Sequence, residues 1–239
     1  KESSEMFLKE LAKGANACAI KYDTTIVGGD TKESSDITIC GTAFGIVKKE
    51  EFMPRTGANP GDIIAVTGTI GKAGAGHYNL KNKIIENNIS KLFFEPLPKL
   101  KEGRMLAKQK SVTSCMDISD GLSSSLYQLQ ELNNLGFEID MSSLPISQEL
   151  IHLHKKKSNL NINDILLHSG GDYELLVTIP SLKFEKVKKA LNKKNMNLTA
   201  IGKVTRRKDI IIKEGNTKKT LENKGYEHFK KQYILNLKF

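Results

Sequence analysis

Met116-Asp117-Ile118-Ser119-Asp120-Gly121-Leu122 is the stretch around which the rest of the chain is arranged. It follows a β-prone run at residues 111–115 and precedes a segment in which Leu122, Leu126 and Leu129 recur at i, i+4 and i+7. That pattern predicts a strand-to-helix junction. Asp117 would leave the strand end, with Ser119 and Asp120 at the helix start, where unpaired backbone N–H groups and the helix dipole favour an anion. Two carboxylates three residues apart, with a hydroxyl between them, are a partial shell for Mg²⁺, which takes oxygen ligands and keeps waters and phosphates as the remainder. Asp and Ser are also ordinary helix N-caps, and at the level of the motif both readings stand.

A chain of 239 residues allows one large domain or two smaller ones. Hydrophobic residues are 38% and charged residues 27%, a globular balance. No stretch reaches the length of a membrane span and the first residues hold no apolar signal-peptide core, so the expectation is a cytoplasmic protein without a membrane partner. A net charge of +10 raises nucleic acid as a partner. The lysines are spread out, however, Trp is absent, aromatics are 6%, and the basic runs at 155–157 and 206–208 are short. The expectation is a solvated basic surface that attracts anionic nucleotides but not a nucleic-acid site. Cys18, Cys40 and Cys115 are far apart with no C-x-x-C pair, which argues against a disulfide framework or a zinc site. His152 and His154, beside a lysine run, read as a solvated helix face.

Taken in order, residues 1–20 predict a helix with Phe7, Leu8, Leu11 and Ala15 as its apolar stripe. Residues 24–31, ending in Gly28-Gly29-Asp30-Thr31, and residues 36–47, with Ile37 and Ile39 on one face, predict two strands paired as a hairpin. Gly28-Gly29 would let backbone approach a phosphate, and Asp30 could hold a metal at the strand end; Gly-Gly-Asp alone is equally a turn. Residues 53–62 carry turn chemistry around Arg55, a planar fork suited to phosphate. A domain boundary is expected near residue 50. Beyond it the pattern alternates: strand 62–68, helix 71–80, helix 99–109, the central strand and helix, strand 137–140, helices near 147–156 and 161–168, a strand after Ser169-Gly170-Gly171-Asp172-Tyr173-Glu174-Leu175, helix 183–194, and strands 198–204 and 209–213. The Gly-rich stretch 68–76 matches neither a P-loop nor a dinucleotide fingerprint, and reads as close helix–strand packing.

Six motifs in this order resemble the thiamine-monophosphate kinase family: Val27-Gly28-Gly29-Asp30-Thr31; Arg55-Thr56-Gly57-Ala58 with Pro60-Gly61-Asp62; Val66-Thr67-Gly68-Thr69; Asp117-Ile118-Ser119-Asp120-Gly121-Leu122; Ser169-Gly170-Gly171-Asp172-Tyr173-Glu174-Leu175; and Gly225-Tyr226-Glu227-His228-Phe229. The last two separate it from the related aminoimidazole-ribotide and selenophosphate synthetases. The resemblance implies an α+β, two-domain protein. Residues 1–50 would be the remainder of an N-terminal ATP-binding and dimerisation domain that forms a β-barrel shared in a homodimer, and residues 51–239 a C-terminal α+β sandwich domain, with nucleotide in the groove between.

It implies ATP- and Mg²⁺-dependent phosphorylation of thiamine monophosphate to thiamine diphosphate by direct transfer. Carried over by position, Gly29 matches an ATP contact, Asp30 a Mg²⁺ ligand, Arg55 an ATP-phosphate contact, Asp117 and Asp120 Mg²⁺ ligands, Ser119 an ATP contact and Tyr226 an aromatic contact to the thiamine moiety. Bringing two polyanions together rests on positioning and charge neutralisation, so Asp117, Asp120 and Arg55 are the candidate catalytic groups and no protein nucleophile is needed. Two departures accompany the resemblance. Family members place a substrate-contacting acid between the second Gly and the Asp of the Gly-Gly-Asp-Tyr-Glu-Leu motif, whereas Gly171 here runs directly into Asp172, so Asp172 is the expected substitute. The family's early metal and substrate motifs have no counterpart, and the chain opens inside a helical pattern. The expectation is a chain shortened at its N-terminus that binds nucleotide poorly and does not turn over by itself. The alternatives are a related ATP-dependent ligase that closes an imidazole ring, and a non-catalytic basic binding protein.

Overall fold

A computed structural model describes residues 4–84 and 86–226. The chain divides into two compact units, Lys1–Val47 and Lys48–Phe239, and each is considered by itself.

The first unit holds one helix, α1 (Glu5–Lys21), capped by Ser4, whose Oγ accepts the Phe7 N–H at 3.2 Å. Its apolar stripe is not buried: Phe7, Leu8 and Leu11 are 40%, 40% and 38% exposed. The hairpin expected over residues 24–47 is not formed, and no strand occurs there among the described residues. Ile26, Val27, Ile37, Ile39, Phe44 and Ile46 all stand in solvent. β-branched residues favour a pleated, half-buried surface, but two strands with no third strand or helix to cover one face are marginal.

The second unit is built on a seven-stranded sheet of β1 (Ile63–Thr67), β2 (Ser114–Asp117), β3 (Gly136–Asp140), β4 (Leu175–Ile179), β5 (Leu198–Thr205), β6 (Ile210–Glu214) and β7 (Thr217–Thr220). The order across the sheet is β2-β4-β1-β5-β3-β6-β7, open at both ends. All neighbours are antiparallel except β3 and β6. The connections carry α2 (Lys72–Lys81), α3 (Asn87–Phe94), α4 (Leu100–Lys108), α5 (Leu122–Asn133), α6 (Gln148–Lys156), α7 (Ile162–His168) and α8 (Ser181–Asn192). Of these, α3 and β7 go beyond the elements legible in the sequence.

Both faces of the sheet are covered, which explains why β1 and β4 read as unbroken apolar runs. Ile64, Val66, Met116 and Leu176 face one core with Leu122, Leu126 and Leu129 of α5 and Leu150 and Leu153 of α6. Ala65, Val177 and Ile179 face the other with Leu106 of α4 and Phe184, Val187 and Leu191 of α8. The Gly-rich stretch packs helix against helix rather than helix against strand. A side chain at Gly74 would meet Ile165 and Ser169 of the α7 region, and one at Gly76 would meet Ile89 and Phe93 of α3. Small residues there let α2 lie between its neighbours.

Candidate active site

β2 ends at Asp117 and α5 begins at Leu122, so Ile118, Ser119, Asp120 and Gly121 form the loop between them. Neither Ser119 nor Asp120 caps the helix. Gly121 occupies the N-cap position with φ 98 and no side-chain cap bond. Asp120 Oδ2 accepts the Ser119 hydroxyl at 3.3 Å, and the Asp117 carboxylate has no hydrogen bond or ion pair among the described residues. Both acids are half-buried. The capping alternative therefore does not account for them, and both carboxylates are left without a capping role.

Two distant segments hold this loop. Gly171 N–H donates to the Ser119 carbonyl at 2.8 Å, Tyr173 N–H to the Ile118 carbonyl at 3.0 Å, and Ile118 N–H to the Glu174 carbonyl at 2.8 Å. A Cβ at Gly170 would overlap the Ser119 carbonyl oxygen, and one at Gly121 would stand 2.8 Å from the His168 carbonyl. His168 Nδ1 and Ser123 Oγ are 2.9 Å apart, and burial holds the His168 pKa below its ordinary value. From the C-terminal side, Tyr226 N–H donates to the Asp120 carbonyl at 3.0 Å. Two motifs distant in sequence thus converge on the loop of a third. Glu227, His228 and Phe229 of the last motif lie outside the described residues.

Asp172 does not offer a free carboxylate. Its Oδ2 accepts the Gly71 N–H at 2.6 Å and its Oδ1 the Ala73 N–H at 2.9 Å, so it closes the start of α2 from across the fold. Burial pushes its pKa up, opposed by those two N–H groups. Both oxygens of the acid expected to contact substrate are thus engaged with backbone. Sequence reasoning also passed over Glu174. It is 1% exposed, accepts the Thr67 hydroxyl at 2.7 Å, and has Lys99 Nζ at 2.8 Å and Lys72 Nζ at 3.8 Å. An acid directly before an apolar strand was the available signal.

Arg55 is exposed, with Nη1 3.4 Å from Gln128 Oε1. Its loop is tied to the C-terminal end of α5 by Asn133, which donates to the Arg55 carbonyl at 3.0 Å and accepts the Gly57 and Ala58 N–H groups at 2.8 and 3.0 Å. Gln128 lies six residues into α5, about 9 Å along its axis from the Asp loop. Gly29 and Asp30 belong to the first unit, where the exposed Asp30 carboxylate accepts the Thr31 N–H at 2.9 Å and has Lys32 Nζ at 3.6 Å.

Beside Asp117 opens a cavity of about 530 Å³, walled by Met53, Pro96, Leu100, Cys115, Tyr173 and Leu175. Burial pushes the Cys115 thiol up to about 12, so it stays neutral. Among the described residues no three His, Cys, Asp or Glu side chains converge as a metal cluster. The fit to Mg²⁺ therefore rests on the two carboxylates of one loop, a donor set that this ion completes with waters and phosphates. No helix among the described residues is long and apolar enough to cross a membrane.

An open mixed sheet with helices on both faces and an acidic strand-to-helix loop define a member of the AIR synthase related proteins. Residues 59–214 match the C-terminal domain of that group and residues 1–47 its N-terminal domain. Within it, the chain belongs to the thiamine-monophosphate kinase family. It is 33% identical over 235 residues to the thiamine-monophosphate kinase of Buchnera aphidicola subsp. Acyrthosiphon pisum, and 32% identical over 241 residues to that of Bacillus subtilis. Each alignment covers 95% of this chain and 71% of the relative. The solved structure of AaThiL complexed with AMPPCP and TMP superposes with a TM-score of 0.78 at 26% identity, covering 96% of this chain and 70% of that one.

Proposed function

We propose that the intact protein transfers the γ-phosphoryl group of ATP to the phosphate of thiamine monophosphate, giving ADP and thiamine diphosphate. A phosphate oxygen of thiamine monophosphate attacks the γ-phosphorus, the bond from that phosphorus to the β–γ bridging oxygen breaks, and ADP leaves with the electron pair. The observation that carries this reading is the Asp117–Asp120 loop in a chain of this family: two half-buried carboxylates released from capping duty, on a loop whose backbone is held by two distant segments.

In this reading Asp117 and Asp120, with Asp30, hold Mg²⁺, which supplies charge neutralisation at the polyphosphate. Gly29 and Ser119 contact the nucleotide, Arg55 brings a planar fork to its phosphates, and Tyr226 contacts the thiamine moiety. The work of the chain is to position two polyanions and exclude water. Asp172 serves the site indirectly by fixing the start of α2. We assign the reaction to the cytoplasm and the protein to a homodimer in which residues 24–47 complete a β-barrel. Support for the dimer comes from the exposed Ile26, Val27, Ile37, Ile39, Phe44 and Ile46, an unpaired apolar run of the kind that adds strands to a partner.

The test is thiamine diphosphate formation from ATP and thiamine monophosphate, followed by chromatography, alongside ADP release with formylglycinamidine ribotide or RNA. Stimulation by thiamine monophosphate alone is expected. Stimulation by formylglycinamidine ribotide alone would place the protein with the ring-closing ligases. For the dimer, Ile39→Lys is expected to shift sedimentation toward the monomer.

A further inference from the structure

We propose that Glu174 is a positioning residue for the reaction: held by Thr67 and Lys99, it sets the backbone that carries the Asp117–Asp120 loop. This rests on the phosphotransferase reading above and adds what keeps the two carboxylates of that loop in place. The loop is anchored through residues 173–175. Asp117 is paired in the sheet with Leu175. Just beyond, Ile118 N–H donates to the Glu174 carbonyl at 2.8 Å and Tyr173 N–H to the Ile118 carbonyl at 3.0 Å. Whatever fixes residues 173–175 therefore fixes where Asp117 leaves β2. On the other side of β4, the ladder with β1 stops at the Val66–Leu176 pair. One residue further, Leu175 N–H donates to the Thr67 hydroxyl at 2.8 Å, and that hydroxyl donates to Glu174 Oε2 at 2.7 Å. A hydroxyl both accepts and donates, and here each function is used.

Burying a carboxylate is unfavourable unless it is paired and hydrogen-bonded, and this one is provided for from several sides. Glu174 and Thr67 are 1% and 0% exposed. Lys99 Nζ stands 2.8 Å from Glu174 Oε1 and neutralises it. Gly68, at φ 55, makes the room, since a Cβ there would overlap the carboxylate. A well-packed apolar pair can fill such a volume with little or no loss of stability, so stability does not account for a charge kept here. Direction does. Apolar packing is non-directional, whereas the bonds from Leu175 to Thr67, from Thr67 to Glu174 and from Lys99 to Glu174 fix the orientation of residues 174 and 175. They also secure the residue before them: Tyr173 sits at φ 51, a backbone conformation bulky residues rarely adopt.

Three variants of the intact protein test this, each measured well below its melting temperature. Thr67→Val removes the hydroxyl at nearly the same shape, and Thr67→Ser puts it back. Glu174→Asp keeps the charge beside Lys99 but draws the carboxylate away from Thr67 by one methylene. The readouts are amide exchange at Ile118 in the ligand-free protein and calorimetric titration of Mg·ADP at several Mg²⁺ concentrations. Thr67→Val is expected to speed exchange at Ile118 and to weaken Mg·ADP binding about tenfold or more, the scale for losing a group that orients metal ligands. Raised Mg²⁺ should recover part of that loss. Thr67→Ser should restore both readouts, and Glu174→Asp should repeat the valine result, which decides the matter if the valine variant fails to fold. Folded Thr67→Val and Glu174→Asp that bind Mg·ADP as tightly as the unmutated protein would overturn the positioning role and leave the phosphotransferase reading standing. A loss that Thr67→Ser does not recover, or that Glu174→Asp does not share, would move the effect away from the Thr67–Glu174 bond and overturn it too. Failure of the unmutated protein to bind Mg·ADP at all would remove the phosphotransferase reading, and this inference with it.

Discussion

The Glu174 carboxylate and the Lys99 ammonium stand 2.8 Å apart with side chains only 1% and 12% exposed. The pair fastens the segment before α4, which walls the cavity, to the residue that begins the descent into β4. Removing one partner leaves the other charge in a place water barely reaches. Glu174→Ala is therefore expected to lower unfolding stability by about 3–5 kcal/mol. The double variant Glu174→Leu with Lys99→Met should lose distinctly less. Urea denaturation of the singles and the double measures the coupling, and equal losses that simply add would contradict it.

Asp117→Asn removes one charge from the acidic loop while keeping shape and volume. Since none of the described residues is bonded to that carboxylate, the melting temperature should stay close to that of the unmutated protein. Turnover in the intact protein should fall roughly a hundredfold or more, the scale of one lost electrostatic contact in a transition state, and Mg²⁺-dependent nucleotide affinity should fall with it. Undiminished thiamine diphosphate formation would refute a metal or catalytic role.

Gly121→Ala tests whether the loop must be held where it is. The position has φ 98 and ψ 155, a region open essentially to glycine alone, and the new methyl would press on the His168 carbonyl. Strain of about 1–3 kcal/mol is expected, read as a lower melting temperature. Because the displaced residues are Ser119 and Asp120, Mg·ADP affinity should fall as well. A variant that loses stability but binds Mg·ADP normally would separate the strain from the site.

The pH dependence of stability should carry the mark of Asp172. Its folded pKa is raised above 3.8 by burial, so the carboxyl binds its proton more tightly folded than unfolded. Its contribution is fully present below about pH 3.8 and is lost as pH rises through the folded value. Asn at this position cannot titrate. The stability of the unmutated protein minus that of Asp172→Asn should thus shrink between pH 4 and neutrality. Chemical denaturation at several pH values checks the sign, and a difference that grows with pH would mean that the two backbone N–H bonds outweigh burial.

The sequence by itself determined whatever depends on neighbours within a few residues. The leucines at 122, 126 and 129 are spaced for one face of a helix, and β1 and β4 are continuous apolar runs. The acids at 117 and 120 flank a strand-to-helix junction whichever way the sheet is ordered. These features are local, set by the periods of 3.6 and 2, and the six motifs in order carried the family as well. Tertiary structure alone decided the rest. Whether residues 24–47 become strands depends on a partner for their N–H and C=O groups, which no local pattern supplies. Whether Asp120 or Gly121 begins α5 depends on Gly170 and Tyr226 pressing on the loop from positions about 50 and 105 residues away. Asp172 was the expected stand-in for a substrate acid because the acid that the family carries just before it is missing here. Only the fold brings the N–H groups of Gly71 and Ala73 to it, a hundred residues back along the chain, and a carboxylate bonded on both oxygens has a different task from a free one.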